Sequence, residues 1–206
     1  HKRSPRTLFG PWEAVVSDAL RVALSVGGFL LLLTAILPQD FETVRNVDMP
    51  RGTWVMLLPL SLAAILVQAG TEEVFFRGYL QQQLAARFPG FVPVWMVVPS
   101  LLFGLMHLSP AAAGANAPLY VLWATAFGIA TADLTARTGS IGAALGFHAA
   151  NNVISILVMS LSGPGSGLAL YHIPMQMNDP AIGAMMLPEF ATIFCGWLIA
   201  RLALKV

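Results

Sequence analysis

Trp54 to Leu80 reads W-V-M-L-L-P-L-S-L-A-A-I-L-V-Q-A-G-T-E-E-V-F-F-R-G-Y-L, and its two halves decide the fold. The first half, Trp54 to Ala69, is an apolar run long enough to enter a bilayer. The second half, Gly70 to Leu80, sets two adjacent carboxylates and an arginine directly after it. Ionisable side chains at membrane depth are costly, so they point to function by default. At 100° per residue, Glu73 and Arg77 fall about 40° apart on one helix face and can pair, while Glu72 and Arg77 fall about 140° apart. Glu72 is then the spare carboxylate, suited to taking a proton from water. Taken alone, these residues fit equally an ion pair that merely tolerates burial, or a helix lying at the interface.

The composition around this stretch agrees with a membrane setting. Of the 206 residues, 57% are hydrophobic and 10% charged, against about a quarter charged in soluble domains. The expected fold class is all-α: a polytopic membrane helical bundle of about six transmembrane helices, with a long second helix carrying the E-E-x-x-x-R pattern. A single transmembrane domain is expected over residues 1–206, its motif-bearing core at about 54–161. A formal charge of +1 gives no basic field for nucleic acid. Cys195 is the sole cysteine, which rules out an internal disulfide and a cysteine-type metal site.

Working outward, Leu20 to Leu37 reads as the first span, ended by Pro38. Lys2, Arg3 and Arg6 precede this apolar stretch, which has no A-x-A cleavage site and is expected to be a retained span. Gln39 to Gly52 is a polar loop. Trp54 to Arg87 lacks a strong breaker and can form one helix of about 34 residues, roughly 50 Å long, beyond a bilayer core of about 30 Å. It is expected to tilt, kink near Gly70, or project. After the turn at Phe88 to Gly90, further spans are expected at Phe91 to Leu108, Leu119 to Ala132 and Ile141 to Leu161. Ser109 to Pro118 is a small-residue connector that supplies missing length if it dips into the interior. Ser162 to Pro180, rich in Gly, Pro and Met, reads as a loop. The last span runs from Pro188 to Leu204, with Pro188 at the helix start and Glu189 offsetting the dipole in the first turn.

With six spans the basic residues divide by side. Lys2, Arg3, Arg6, Arg21, Arg77, Arg87, Arg137, Arg201 and Lys205 fall on one side, Arg45 and Arg51 on the other. The positive-inside rule places both termini in the cytoplasm. The expected location is a bacterial cytoplasmic (inner) membrane.

Three polar clusters interrupt the apolar helices: Glu72, Glu73 and Arg77; His107; and His148 with Asn152. A lone histidine near a helix end is usually a hydrogen-bonded structural residue, yet two of only four histidines lie in spans nearly free of other titratable groups. Glu72 and His107 are about equally far from the turn at Phe88 to Gly90, so antiparallel arms bring them level. His148 and Asn152, spaced i, i+4, project from one helix face. Phe103 and His107 share that spacing, as expected if the aromatic fixes the imidazole, although core packing alone requires it equally. A carboxylate and imidazole able to deprotonate water, opposite an imidazole and amide able to donate to an oxyanion, suit peptide hydrolysis. No H-E-x-x-H occurs. No cofactor is expected; Glu72, His107 and His148 are the candidate ligands if a divalent metal such as zinc is used.

These clusters resemble the signature of the CPBP intramembrane peptidases, the family of CAAX-prenyl endopeptidases and bacteriocin-processing or self-immunity proteins. Its motifs E-E-x-x-x-R, F-x-x-x-H and H-x-x-x-N read here E-E-V-F-F-R, F-G-L-M-H and H-A-A-N-N, in order. The resemblance covers Thr71 to Asn152 and implies a membrane-embedded, glutamate-dependent protease. Glu72 with His107 would activate water, His148 and Asn152 would hold the oxyanion, and Glu73, Arg77 and Phe103 would support the site. The chain looks shorter than the eight-span prenyl endopeptidases, which leaves prenylated substrates without support. The implied partners are the lipid bilayer and a peptide or membrane-protein substrate. The main alternative is a non-catalytic accessory or scaffolding subunit of a larger membrane complex that retains the family fold. A transporter or proton pathway is weaker, because outside the three clusters the spans offer little from which to build a polar route.

Overall fold

The computed structural model describes residues 4–36 and 42–206. Lys2, Arg3 and the first span's exit at Leu37-Pro38 lie outside the described residues. The chain is a helical membrane bundle. Among the described residues, four stretches are long and apolar enough to cross a membrane, Pro5–Ile36, Arg51–Arg87, Pro110–Thr138 and Ile182–Leu204, and two shorter apolar helices, Val92–Met106 and Gly142–Val158, complete the six expected segments. Large apolar side chains such as Leu24, Met56, Leu60, Val67, Leu187 and Leu202 are exposed, as a lipid-facing surface requires.

The elements in order are α1 (Trp12–Ile36), β1 (Val44–Arg45), α2 (Arg51–Glu73), α3 (Gln82–Arg87), α4 (Val92–Met106), α5 (Pro110–Ala113), α6 (Ala117–Thr138), α7 (Gly142–Asn152), β2 (Met159–Leu161), β3 (Tyr171–Ile173) and α8 (Ile182–Leu204). α2 and α3 are one continuous helix whose middle, Val74–Gln81, is π-helical. The expected irregularity therefore lies just past the glutamates instead of at Gly70. π segments are rare and concentrate at functional sites. A second one, Val153–Val158, follows α7. α6 stops at Gly139, which takes the left-handed conformation at φ 69° that favours glycine after a helix end.

Small residues let the helices approach closely. A Cβ added to Gly146 would lie 2.4 Å from the Ala19 carbonyl oxygen, and one added to Gly104 would lie 2.1 Å from Thr125 Oγ1. α7 is thereby pressed on α1, and α4 on α6. Between them lies an aromatic core in which Trp123, Phe127 and Phe147 stack at 5.6 and 5.1 Å.

Three expectations are corrected. The Ser162 to Pro180 segment contains strand β3, which pairs antiparallel with β1 and parallel with β2 in a three-stranded sheet ordered β1-β3-β2. The fifth helical segment accordingly ends at Val158, and Met159 to Leu161 is strand. α8 begins at Ile182, so Pro188 lies inside the helix and Glu189 is not a first-turn capping charge. Pro is tolerated inside membrane helices, where neighbours satisfy the freed carbonyl. The connector does pack inward: Asn116 is buried and donates to the carbonyls of Met177 and Asp179, at 3.0 and 2.8 Å.

Candidate active site

The site is built where α2 faces α7. The two helices run antiparallel, and two polar rungs join them. On the first, Glu73 Oε1 and His148 Nδ1 are 2.7 Å apart. On the second, Asn152 donates from Nδ2 to Gln68 Oε1 at 2.8 Å. The i, i+4 spacing that sets His148 and Asn152 on one face of α7 thus meets a matching pair on α2.

Glu73 is fully buried and accepts from Arg77 Nη1 at 3.1 Å. Arg77 is 1% exposed and also donates to the Gly128 carbonyl at 3.3 Å and to Thr131 Oγ1. Its guanidinium carbon lies 4.8 Å from the centre of the Phe103 ring. A buried ion pair survives when its remaining donors are satisfied, and α6 supplies those partners. The expected Glu73 and Arg77 pair is therefore present, and it anchors α2 to α6.

Glu72, one residue earlier, is in a different environment. Its side chain is 24% exposed. Oε1 accepts from Gln68 Nε2 at 2.6 Å, while Oε2 has no hydrogen-bond partner and stands 3.7 Å from His148 Nε2. That separation exceeds a direct hydrogen bond.

Phe103 is the hub of the aromatic side. Its ring centre lies 4.8 Å from that of His107, 5.9 Å from that of His148 and 5.3 Å from that of Phe76. His107 caps α4, and its Nδ1 sits 2.9 Å from the Phe103 carbonyl. A carbonyl can only accept, so Nδ1 carries the proton and Nε2 is left for other partners. His107 is exposed and does not hydrogen-bond to Glu72; the imidazole next to Glu72 is that of His148.

His107, Asn151 and Asn152 open onto a cavity of about 860 Å³ that also touches Tyr120, Ser155, residues 159–164 and Glu189. Gln68 and Thr131, which hydrogen-bond to the site's side chains, and Glu189 on the cavity wall were not singled out from the sequence. Gln68 carried a signal, being the one amide in the run from Trp54 to Ala69 and four residues before Glu72. Thr131 carried none. Glu189 was assigned to a cap by the proline before it. Among the described residues, no group of three or more His, Cys, Asp or Glu side chains is placed to hold a metal ion. Glu72, His107 and His148 do not form such a set.

Comparison with known proteins adds the following. Residues 54–154 match the family described as Rce1-like, type II CAAX prenyl endopeptidase. The chain is 28% identical over 156 residues to the uncharacterized protein YyaK of Bacillus subtilis (strain 168), a match covering 74% of this chain and 51% of YyaK. The match thus spans about half the length of that relative. No solved structure matches significantly.

Proposed function

Because residues 54–154 match the Rce1-like family, we propose that the protein is an intramembrane endopeptidase that depends on Glu72 and hydrolyses a peptide bond in a peptide or membrane-protein substrate. One observation carries this reading. Glu72 Oε2 is buried, unpartnered and 3.7 Å from His148 Nε2, so a water admitted between them would bridge the two at about 2.8 Å, while Glu73 fixes the far side of the imidazole.

In the proposed reaction Glu72 takes a proton from that water as the oxygen bonds to the scissile carbonyl carbon. The carbonyl oxygen gains the negative charge, and Asn152 Nδ2 donates to it together with His148 Nε2–H, the ring carrying a proton on each nitrogen in this step because Nδ1 donates to the Glu73 carboxylate. When the C–N bond breaks, Glu72 returns the proton to the leaving nitrogen. His107 presents its Nε2 from the cavity wall to the water or to a substrate N–H. General-base assistance typically supplies about 10² to 10⁴ in rate, and one oxyanion donor about 10² to 10³.

The division of lysines and arginines supports cytoplasmic termini, and the cavity then opens on the opposite side, at the end of the bundle that carries the sheet. The test is the full chain in its native membrane, comparing wild type with Glu72→Gln by mass spectrometry of shortened proteins. Shortened partners present only with wild type are the expected result. A folded Glu72→Gln protein with undiminished cleavage would overturn the reading. Wild-type behaviour of both Glu72 and His148 variants, with stable co-purification of a larger complex, is the outcome that a scaffolding subunit requires.

A further inference from the structure

The cavity has a wall that the proposed chemistry does not use. β2 is an edge strand: β3 pairs with one side of it, and among the described residues no strand pairs with the other. Met159, Ser160 and Leu161, all half-buried, line the same cavity as His107 and Asn152. The chain runs from Asn152 through a single π segment directly into β2, so one stretch positions both the oxyanion donor and the strand edge. Glu189 also lines the cavity, and among the described residues it is the only lining side chain of the Asp, Glu, Lys or Arg type.

An α-helical substrate segment hides its carbonyl carbons, and hydrolysis requires it to unwind. Unwinding frees N–H and C=O groups that a membrane interior cannot satisfy. A strand edge has the same deficiency, and pairing the two removes both. A basic side chain in the added strand would then meet Glu189, which is exposed on the cavity wall and opposite in charge.

We infer that the substrate enters as an extended segment added to the free edge of β2, with a lysine or arginine of that segment held by Glu189. The inference rests on the endopeptidase reading and names its substrate class. The probe is a synthetic library of short peptides presented to the full chain in phosphatidylethanolamine and phosphatidylglycerol nanodiscs, with cleaved bonds read by mass spectrometry. Cleaved peptides are expected to carry Lys or Arg at one fixed distance from the cut, and Glu189→Lys is expected to move that preference to Asp or Glu. N-methylation of backbone amides one at a time, outside the scissile bond, in the best-cleaved peptide is expected to lower kcat/KM about ten-fold at every second position. Cleavage that needs Glu72 but shows neither charge preference nor alternation overturns the binding mode and leaves the peptidase standing. A library left uncut by wild type overturns both.

Discussion

Glu72 and Glu73 are neighbours of one residue type on one helix, yet they meet opposite surroundings. Glu73 faces the dry side, fully buried between Arg77 and His148. Glu72 is 24% exposed and stands outside that ion pair, although each of the two carboxylates keeps its Oε2 buried without a hydrogen-bond partner. A rotation of 100° thus separates a carboxylate that holds the bundle from one left outside the ion pair with Arg77. Substitutions on the two sides should therefore fail in different ways.

The largest separation is expected from Glu72→Gln, which should lower cleavage by about 10² to 10⁴ while leaving the thermal midpoint in detergent within a degree or two of wild type. Loss of both together would erase the distinction. On the dry side, Arg77→Ala strands a buried carboxylate and should cost about 3 to 5 kcal/mol of stability, measured by denaturant unfolding in micelles. Asn152→Ala belongs to the open side and should lower kcat by about 10² to 10³ with little change in folding. Gly146→Val tests the α1 and α7 crossing, where about 1 to 3 kcal/mol is expected from overpacking. The smallest effect should come from Gln68→Ala, about 0.5 to 1.5 kcal/mol. That residue bridges Glu72 and Asn152, so the change should shift activity more than stability, and the reverse result would move Gln68 to the dry side.

Helical period alone was enough to pair Glu73 with Arg77, to leave Glu72 spare and to put His148 and Asn152 on one face, because each is a local property of a single helix. Pairings across the chain were less legible. β1 and β3 are separated by more than a hundred residues and contribute two and three residues each, too few for an alternating pattern to register. The start of α8 was misread for a different reason. Pro188 looks like a first-turn residue by soluble rules, but a membrane bundle tolerates it inside the helix. That one shift moved Glu189 from a cap to the cavity wall. The candidate histidines stand out by their rarity, whereas Gln68 goes unmarked because an amide in an apolar run attracts less notice than a charge.

The π-helical turn from Val74 to Gln81 carries a lesson about insertions and deletions. It is an α-helix that has taken in surplus backbone, so removing one residue there would restore ordinary winding at almost no local cost. The helix beyond Gln81 would keep its register, while the loss of Val74, Phe75 or Phe76 would step the guanidinium at 77 back by one position, off its seat on α6. A one-codon deletion in this turn should therefore be tolerated by the helix and fatal to the site, whereas the same deletion in the loop at Phe88 to Gly90 should be absorbed.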